Sequence, residues 1–282
     1  MATIGPRTRE IPLSEYPTGD GKPMAETPIH GDNMFAIIDV LRSRYAHDPS
    51  VYIAGNMLMY YVPNDKRRHV SPDVFLVKDI PHKYRGAYFV WIEGKAPNIV
   101  FEISSRSTSK EDLNKKFRLY QDTLQVPEYF LFDPMEEYLS PSLQGFLLRD
   151  GAYVPIEPVE GRLPSAELGL HMERDGAFLR LYDPATGQRL LTSREERDVA
   201  QAARRQAEAQ AQAAQQQAEA AKQQAEAAQQ QAEAAKQRSE IDRLHLAEVL
   251  RQSETARLAV ETEREALRGE LEELRRRSKG GS

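Results

Sequence analysis

Apolar and polar residues alternate in blocks along the chain, and the block at residues 98–134 predicts a strand, a helix and a second strand. Ile99 to Ile103 is a short apolar run, typical of a buried strand. Val126-Pro127 ends the helix that follows, because proline cannot continue one. Tyr129 to Phe132 predicts the second buried strand. One face of the helix is marked by apolar residues at helical spacing, namely Leu113, Phe117, Tyr120 and Leu124.

The blocks on either side predict further helices and strands. Thr27-Pro28 begins a helix, since threonine is a fair N-cap and proline is favoured at the first helical position. Residues 51–62 predict a strand pair or one bent strand, with Gly55 at a turn or bulge. Residues 80–95 read as a loop. Two hairpin turns separate short apolar runs later in the chain, at Asp150-Gly151 and Asp175-Gly176.

The pattern changes near Thr192 to a long helix rich in Ala, Gln, Glu and Arg. Alanines recur there at alternating spacings of three and four from 216 to 236, which is a heptad seam. Larger apolar residues keep the seven-residue spacing further on, at Leu246, Val260, Leu267 and Leu274. This pattern predicts a homodimer or higher oligomer through residues 193–278. A single solvated helix is the alternative, because such sequences are helical without partners.

The chain is therefore expected to contain four segments. Residues 1–26 form an extended lead-in and residues 27–192 a globular domain. Residues 193–278 form a coiled-coil helix, and 279–282 a flexible end. Strands and helices are mixed in the globular segment, with a β-rich C-terminal part, so its predicted class is α/β.

Composition excludes several classes of protein. The 38 basic and 43 acidic residues give a net charge of −5, which argues against a basic coat that binds nucleic acid through many phosphates. The chain has no cysteine, hence no disulfide, thiolate metal site or thiol nucleophile. Its N-terminus lacks the apolar core of a signal peptide, and no run reaches the roughly 20 apolar residues of a membrane span. We expect a cytoplasmic, soluble protein.

Three residues form a candidate catalytic group. Asp73 precedes an apolar strand, Glu102 lies inside the next strand, and Lys116 lies on the following helix. Two carboxylates on neighbouring strands can share Mg²⁺, which prefers oxygen ligands and keeps several waters. A nearby ammonium can position the attacking water or stabilise phosphoryl oxygens. These are the minimum requirements for metal-dependent phosphodiester hydrolysis.

Each of these residues also has a structural interpretation. Asp73 follows a proline and can serve the turn that enters a strand. Glu102 can be a strand carboxylate paired with a lysine, since a buried charge is costly without a partner. Lys116 has Lys115 and Arg118 as neighbours, so it can belong to a solvated helix face.

The run from Ser71 to Pro134 resembles the Uma-two family of restriction endonucleases, a branch of the PD-(D/E)XK nuclease superfamily, and the likeness extends over about residues 26–181. The resemblance implies a restriction-endonuclease-like core, with a central mixed β-sheet flanked by helices. The matching pieces, in order, are Pro72-Asp73-Val74, Glu102-Ile103, Ser105, Ser107 and Thr108, Asp112, Lys116 and Tyr120, Val126 to Tyr129, and Asp133-Pro134.

The resemblance also implies roles. Asp73 and Glu102 would hold Mg²⁺ or Mn²⁺. The superfamily's lysine normally stands two residues after the glutamate, where this chain has Ser104, and Lys116 matches the helix position that replaces it in this family. Additional site residues would be Glu26, His30, Ser105 and Ser107. His30 can equally be a surface or packing residue, and the two serines can equally cap the helix.

The main hypothesis is a metal-dependent DNA endonuclease, dimerised by its coiled coil so that two active sites can cut two strands. A second hypothesis is a nuclease fold that no longer cuts and recruits a partner through the coiled coil. A third is hydrolysis of RNA or another phosphodiester, which these residues do not distinguish from DNA.

Overall fold

The computed structural model describes residues 10–19, 21, 27–106 and 109–279, and its contacts divide the chain into two units, 1–201 and 202–282. Helix α1 spans Pro28–Arg44. Thr27 caps it as predicted, because its hydroxyl accepts a hydrogen bond of 3.3 Å from the backbone N–H of His30. Between α1 and the second unit, the described residues contain strands β1 Val51–Ala54, β2 Met59–Tyr60, β3 His69–Val70, β4 Val74–Lys78, β5 Tyr88–Phe89, β6 Ile99–Ile103, β7 Glu128–Phe132, β8 Leu143–Arg149, β9 Ala152–Pro155, β10 Leu163–Ser165, β11 Leu170–Asp175, β12 Phe178–Asp183 and β13 Gln188–Arg189.

A six-stranded mixed sheet with the order β1-β4-β6-β7-β8-β9 lies at the centre of the first unit. Its neighbouring strands are antiparallel except β6 and β7, which are parallel. A parallel pair needs a crossover connection, and a helical segment between β6 and β7 supplies it. The predicted α/β fold with a central mixed sheet is confirmed.

The crossover is less regular than a simple helix. It begins as helix α3, Ser109–Glu111, and includes two wider π-type turns, Asp112–Lys116 and Leu119–Thr123. Wider turns place later side chains at different angles around the axis. Tyr120 and Leu124 are buried and Leu113 is exposed, so the four apolar residues predicted to share one face are not all covered.

The two faces of the central sheet are covered differently. Helix α1 and a four-stranded antiparallel sheet, β10-β11-β12-β13, pack on one face. The crossover and a group of aromatic residues pack on the other. Along β6, Ile99, Phe101 and Ile103 point to the first face, so alternation places Glu102 on the second, against the crossover.

Residues 80–95 are more structured than the predicted loop. They contain β5 and a short helix α2, Val90–Glu93. β5 pairs in parallel with β2, and β3 completes a small three-stranded sheet. Each of these three strands contributes only two paired residues, and the partners are not adjacent in sequence. Local periodicity therefore does not predict them.

The long C-terminal helix, α4, spans Ser193–Lys279 and confirms the predicted helical tail. Its cap is Thr192. Thr192 accepts a 3.3 Å hydrogen bond from the N–H of Glu195, whose carboxylate accepts a 2.8 Å bond from the N–H of Thr192, which makes a capping box. Ser193 donates to the carboxylate of Asp39 in α1.

The apolar side chains of the tail are exposed, with Leu246, Leu267 and Leu274 each about 60% accessible. The coiled coil therefore stays a prediction. None of the helices in the described part of the chain is long and apolar enough to cross a membrane.

Candidate active site

The strand register brings Asp73 and Glu102 together. Val74 pairs with Phe101 across β4 and β6, so Asp73, one residue before β4, lies opposite Glu102. The backbone N–H of Asp73 donates to Oε2 of Glu102 over 3.4 Å. One carboxylate oxygen of Asp73 accepts a 2.7 Å bond from the N–H of Ile103. The two predicted acids are thus adjacent and fixed by the sheet backbone.

Lys116 comes from the crossover to the same place. Its Nζ lies 2.8 Å from Oε2 of Glu102 and 3.0 Å from Oδ1 of Asp112. Its side chain is only 11% exposed, so the interpretation as a solvated surface lysine is wrong. The hydroxyl of Tyr120 donates to the other oxygen of Glu102 over 2.6 Å. Both oxygens of the buried Glu102 therefore have donors.

Burial and charge act against each other in this cluster. Burial raises the pKa of Glu102, with Lys116 opposing the rise and the carboxylates of Asp73 and Asp112 adding to it. Burial would lower the pKa of Lys116, but the same three carboxylates outweigh it and raise that pKa. Burial also raises the pKa of Tyr120, which keeps its hydroxyl protonated as a donor. Glu102 consequently needs a cation close by to stay ionised.

His30 contacts the other acid. Its Nε2 lies 3.2 Å from Oδ1 of Asp73, and the residue is 4% exposed. Burial by itself would raise the pKa of Asp73, but the hydrogen bond with His30 and the charge of Lys116 leave it lowered. His30 is therefore a buried partner of Asp73 and not a surface residue.

The remaining predicted residues divide into two groups. Ser105 is buried directly after β6, and its carbonyl accepts a 3.0 Å bond from the N–H of Ser109. Glu26 and Ser107 lie outside the described residues. Ser104 stands on the same face of β6 as Glu102, and its buried hydroxyl has no hydrogen-bond partner among the described side chains and backbone.

Sequence reasoning gave no site role to Asp112 and treated Tyr120 as a core residue. Both contact the cluster, Asp112 through Lys116 and Tyr120 through Glu102. The sequence feature that could have identified both residues is the spacing of four that separates Asp112, Lys116 and Tyr120. Residues at this spacing lie on one side of a helix. The polar groups on that side of the crossover face the buried carboxylate of Glu102 on β6.

A family model described as "Putative restriction endonuclease" and named Uma2 matches residues 8–178, a range that contains every residue of this cluster. The chain belongs to the Uma2 family. Membership places it among the restriction-endonuclease-like nucleases and confirms the resemblance seen in the sequence.

Two further comparisons accompany that match. A solved structure titled as a "putative nuclease belonging to DUF820", from Anabaena variabilis, is 15% identical and aligns with a TM-score of 0.40. The alignment covers 54% of this chain and 81% of that one. No curated protein matches the chain.

The acids of this Uma2 site fit a hard divalent cation. Mg²⁺ takes oxygen ligands and is often bound by one or two carboxylates plus water and substrate phosphate. Within the described ranges, the His, Asp and Glu side chains form no metal-binding cluster of three or more. Asp73 and Glu102 are the adjacent carboxylates that would hold such a cation, and Asp73 keeps 16% of its side chain exposed. Waters and phosphate oxygens would complete the coordination.

Gly55 packs closely against the backbone of Asp73 and leaves no room there for a side chain. A Cβ on Gly55 would lie 2.2 Å from the backbone carbonyl oxygen of Asp73. Gly55→Ala is therefore expected to lower the free energy of unfolding by about 1–3 kcal/mol, the usual cost of overpacking, and to lower nuclease activity by moving Asp73. Urea titration and a cleavage assay measure both effects.

Gly19→Ala is the matched control, since a Cβ there meets nothing within 4 Å. It should change stability by less than about 0.5 kcal/mol. If the two variants had the same free energy of unfolding and the same cleavage rate, the close approach of Gly55 to Asp73 would matter for neither stability nor activity.

Proposed function

We propose that this Uma2 protein is an endonuclease that hydrolyses phosphodiester bonds of DNA with Mg²⁺ or Mn²⁺. The observation that supports it is the convergence of Asp73, Glu102 and Lys116 at one end of β4 and β6, in a chain whose family is one of nucleases. When bound, the cation would lower the pKa of a water and offset negative charge on the phosphoryl group.

The chain's own residues have distinct tasks in this proposal. Asp73 and Glu102 hold the cation, and His30 orients Asp73 through the 3.2 Å contact. Tyr120 keeps the Glu102 carboxylate in place by donating to it. Lys116 has three N–H donors. Two can serve Glu102 and Asp112, and the third can donate to a phosphoryl oxygen or to the attacking water.

The reaction consumes one water. The water oxygen forms a bond to phosphorus and the water gives up one proton. The bond from phosphorus to one bridging oxygen breaks, and that oxygen leaves and takes up one proton, so that the proton count balances. Negative charge increases on the phosphoryl oxygens as the bonds change. A fixed, water-excluded ammonium such as that of Lys116 stabilises this charge more than bulk water does.

Cleavage of supercoiled plasmid tests the proposal. The full chain should nick or linearise the plasmid with Mg²⁺ or Mn²⁺ and should stop when a chelator is added. RNA of matched length, assayed in parallel, distinguishes the DNA endonuclease from the hydrolysis of another phosphodiester. Inactivity toward DNA across both metals and a range of sequences would refute the proposed activity.

We also propose that the chain dimerises through residues 193–278, so that two active sites act on two strands. The support is the heptad pattern together with the exposure of its apolar positions, among them Leu246, Val260, Leu267 and Leu274. Exposed leucines at heptad spacing are stabilised when a second helix covers them.

Leu267→Asp should therefore dissociate the dimer, because it places a charge at a position covered by the partner helix. Thr262→Asp adds the same charge at an exposed position of the same helix, off the heptad seam, and should leave the dimer intact. Sedimentation equilibrium of the full chain measures both. A monomeric parent chain, or an intact dimer in Leu267→Asp, would contradict the proposed interface.

A second candidate function is a nuclease fold that recruits a partner without cutting. The observation that favours it is that both carboxylate oxygens of Glu102 already accept hydrogen bonds, one from Tyr120 and one from Lys116. In that case the ion pairs stabilise the domain and bind no metal. Metal binding by the full chain separates the two candidates.

A further inference from the structure

A groove of about 950 Å³ follows the outer side of β1, the edge strand of the central sheet. One wall is the end of helix α1 and the turn after it, up to Pro49. The other wall is the segment 82–85. Backbone hydrogen bonds join the two walls at one end, from the N–H of His82 to Pro49 and from the N–H of Ile80 to Ser50. The groove is thus a fixed feature of the fold.

The groove reaches the catalytic segment at its other end. Gly55 lines it there and is the residue whose close approach to the carbonyl of Asp73 leaves no room for a side chain. The N–H of the next residue, Asn56, donates to the carbonyl of Pro72 over 2.9 Å. This end of the groove therefore adjoins the backbone of Pro72 and Asp73, just before β4.

The charges of the lining favour an anion. Three cationic side chains, Arg42, Lys83 and Arg85, line the groove together with the carboxylate of Asp48. Arg85 is buried, and both it and Lys83 pair with the carboxylate of Glu93, so the three cations exceed the two carboxylates by one charge. Lys83 keeps 54% of its side chain exposed while contacting Glu93, so its ammonium can still meet a phosphate.

The same lining carries aromatic surface. Tyr84 is 96% exposed, although a ring of that size is normally covered. The ring of Tyr52 beneath it is buried and has the Arg85 guanidinium 4.2 Å from its centre, so Tyr84 is the ring that offers an open face to a base. Cations that follow a phosphate backbone, together with aromatic rings on which bases stack, are the combination by which proteins bind single-stranded nucleic acid.

We propose that this groove binds a single-stranded nucleic-acid segment continuous with the strand cleaved at Asp73 and Glu102. The inference rests on the proposed nuclease function and adds a substrate class to it, namely nucleic acid with an unpaired stretch beside the scissile bond. Unpaired bases are required because Tyr84 can stack only on a base face that no neighbouring base covers.

Binding without cleavage tests this inference. Fluorescence anisotropy of a labelled single-stranded oligonucleotide is measured with the full chain in chelator, over a range of salt concentrations. Tyr84→Ala should weaken binding roughly tenfold, the usual effect of losing one base stack. Lys83→Ala should reduce the slope of log affinity against log salt by about 0.7, the value for one phosphate contact on a single strand.

Arg67→Ala is the control, because Arg67 is 91% exposed and lies outside the groove. It should change affinity less than twofold. If a single strand of DNA or of RNA binds more tightly than a duplex, the proposed role of the groove is supported. The strand that binds more tightly shows whether the ligand is DNA or RNA. Wild-type binding by Tyr84→Ala and Lys83→Ala, or equal affinity for the duplex, overturns it.

The measurement contains no metal and no cleavage step. A chain that binds single strands through Tyr84 and Lys83 but cuts nothing would refute the proposed function and leave the groove assignment standing. A chain that cuts duplex plasmid, but whose binding of single strands does not change in the Tyr84 and Lys83 variants, would refute the groove assignment and leave the proposed function standing.

Discussion

Glu102→Gln is expected to reduce metal-dependent cleavage by about 10²–10³-fold or more while leaving the domain folded. The amide keeps the shape of the side chain and can still accept from Tyr120, but it removes the charge that holds a divalent cation. A bound metal is worth several kcal/mol of transition-state stabilisation, and each 1.36 kcal/mol is a factor of ten in rate. Initial rates on supercoiled plasmid, compared with the circular dichroism of each variant, measure the effect.

Glu111→Gln controls for the loss of one carboxylate near the site. Glu111 lies in the same crossover but pairs with the exposed Lys115, and a surface pair contributes about 1 kcal/mol or less. Its activity should match the parent chain. If Glu102→Gln cleaved as fast as Glu111→Gln, the catalytic role of Glu102 would be wrong.

Lys116→Met is expected to have the largest effect on stability, a loss of about 3–5 kcal/mol at neutral pH. The replacement fills a similar volume but leaves the carboxylates of Glu102 and Asp112 buried without their shared ammonium. Lys115→Met, next to it and 80% exposed, removes the same charge at the surface and should cost less than about 1 kcal/mol. Urea unfolding measures both.

The loss in Lys116→Met should shrink as the pH falls. Without the ammonium, burial raises the folded-state pKa of Glu102 further, since Lys116 is the group that opposes the rise. A carboxyl with a raised folded pKa contributes stability below its unfolded pKa and loses it as the pH rises through the folded one. The variant should therefore be closer to the parent near about pH 5 than near about pH 8. A loss independent of pH would contradict the buried ion pair as its cause.

Much of the fold follows from local pattern. The cap at Thr27, the strand ending at Phe132, the two predicted hairpins and the long tail helix all follow from periodicity or from Gly and Pro signals. The misses have physical causes. The crossover contains π-type turns that its helical spacing does not indicate, and β5 depends on a long-range pairing with β2.

The site shows the same division between local pattern and tertiary context. Alternation along β6 places Glu102 on one face of the sheet, and the antiparallel register places Asp73 beside it. No local signal shows that Lys116 is buried, because its neighbours are the polar residues of an ordinary helix surface. Its burial depends on the crossover packing against β6. The contact of His30 with Asp73 likewise depends on how helix α1 packs.

Calorimetric titration of the full chain with Mn²⁺ measures whether Asp73 and Glu102 bind a cation. Asp73→Asn and Glu102→Gln are titrated alongside, with Glu111→Gln as the folded control. We expect a binding event in the parent chain and in the control, and its loss in both site variants. A folded parent chain that binds no Mn²⁺, or binding that survives in both site variants, would contradict it.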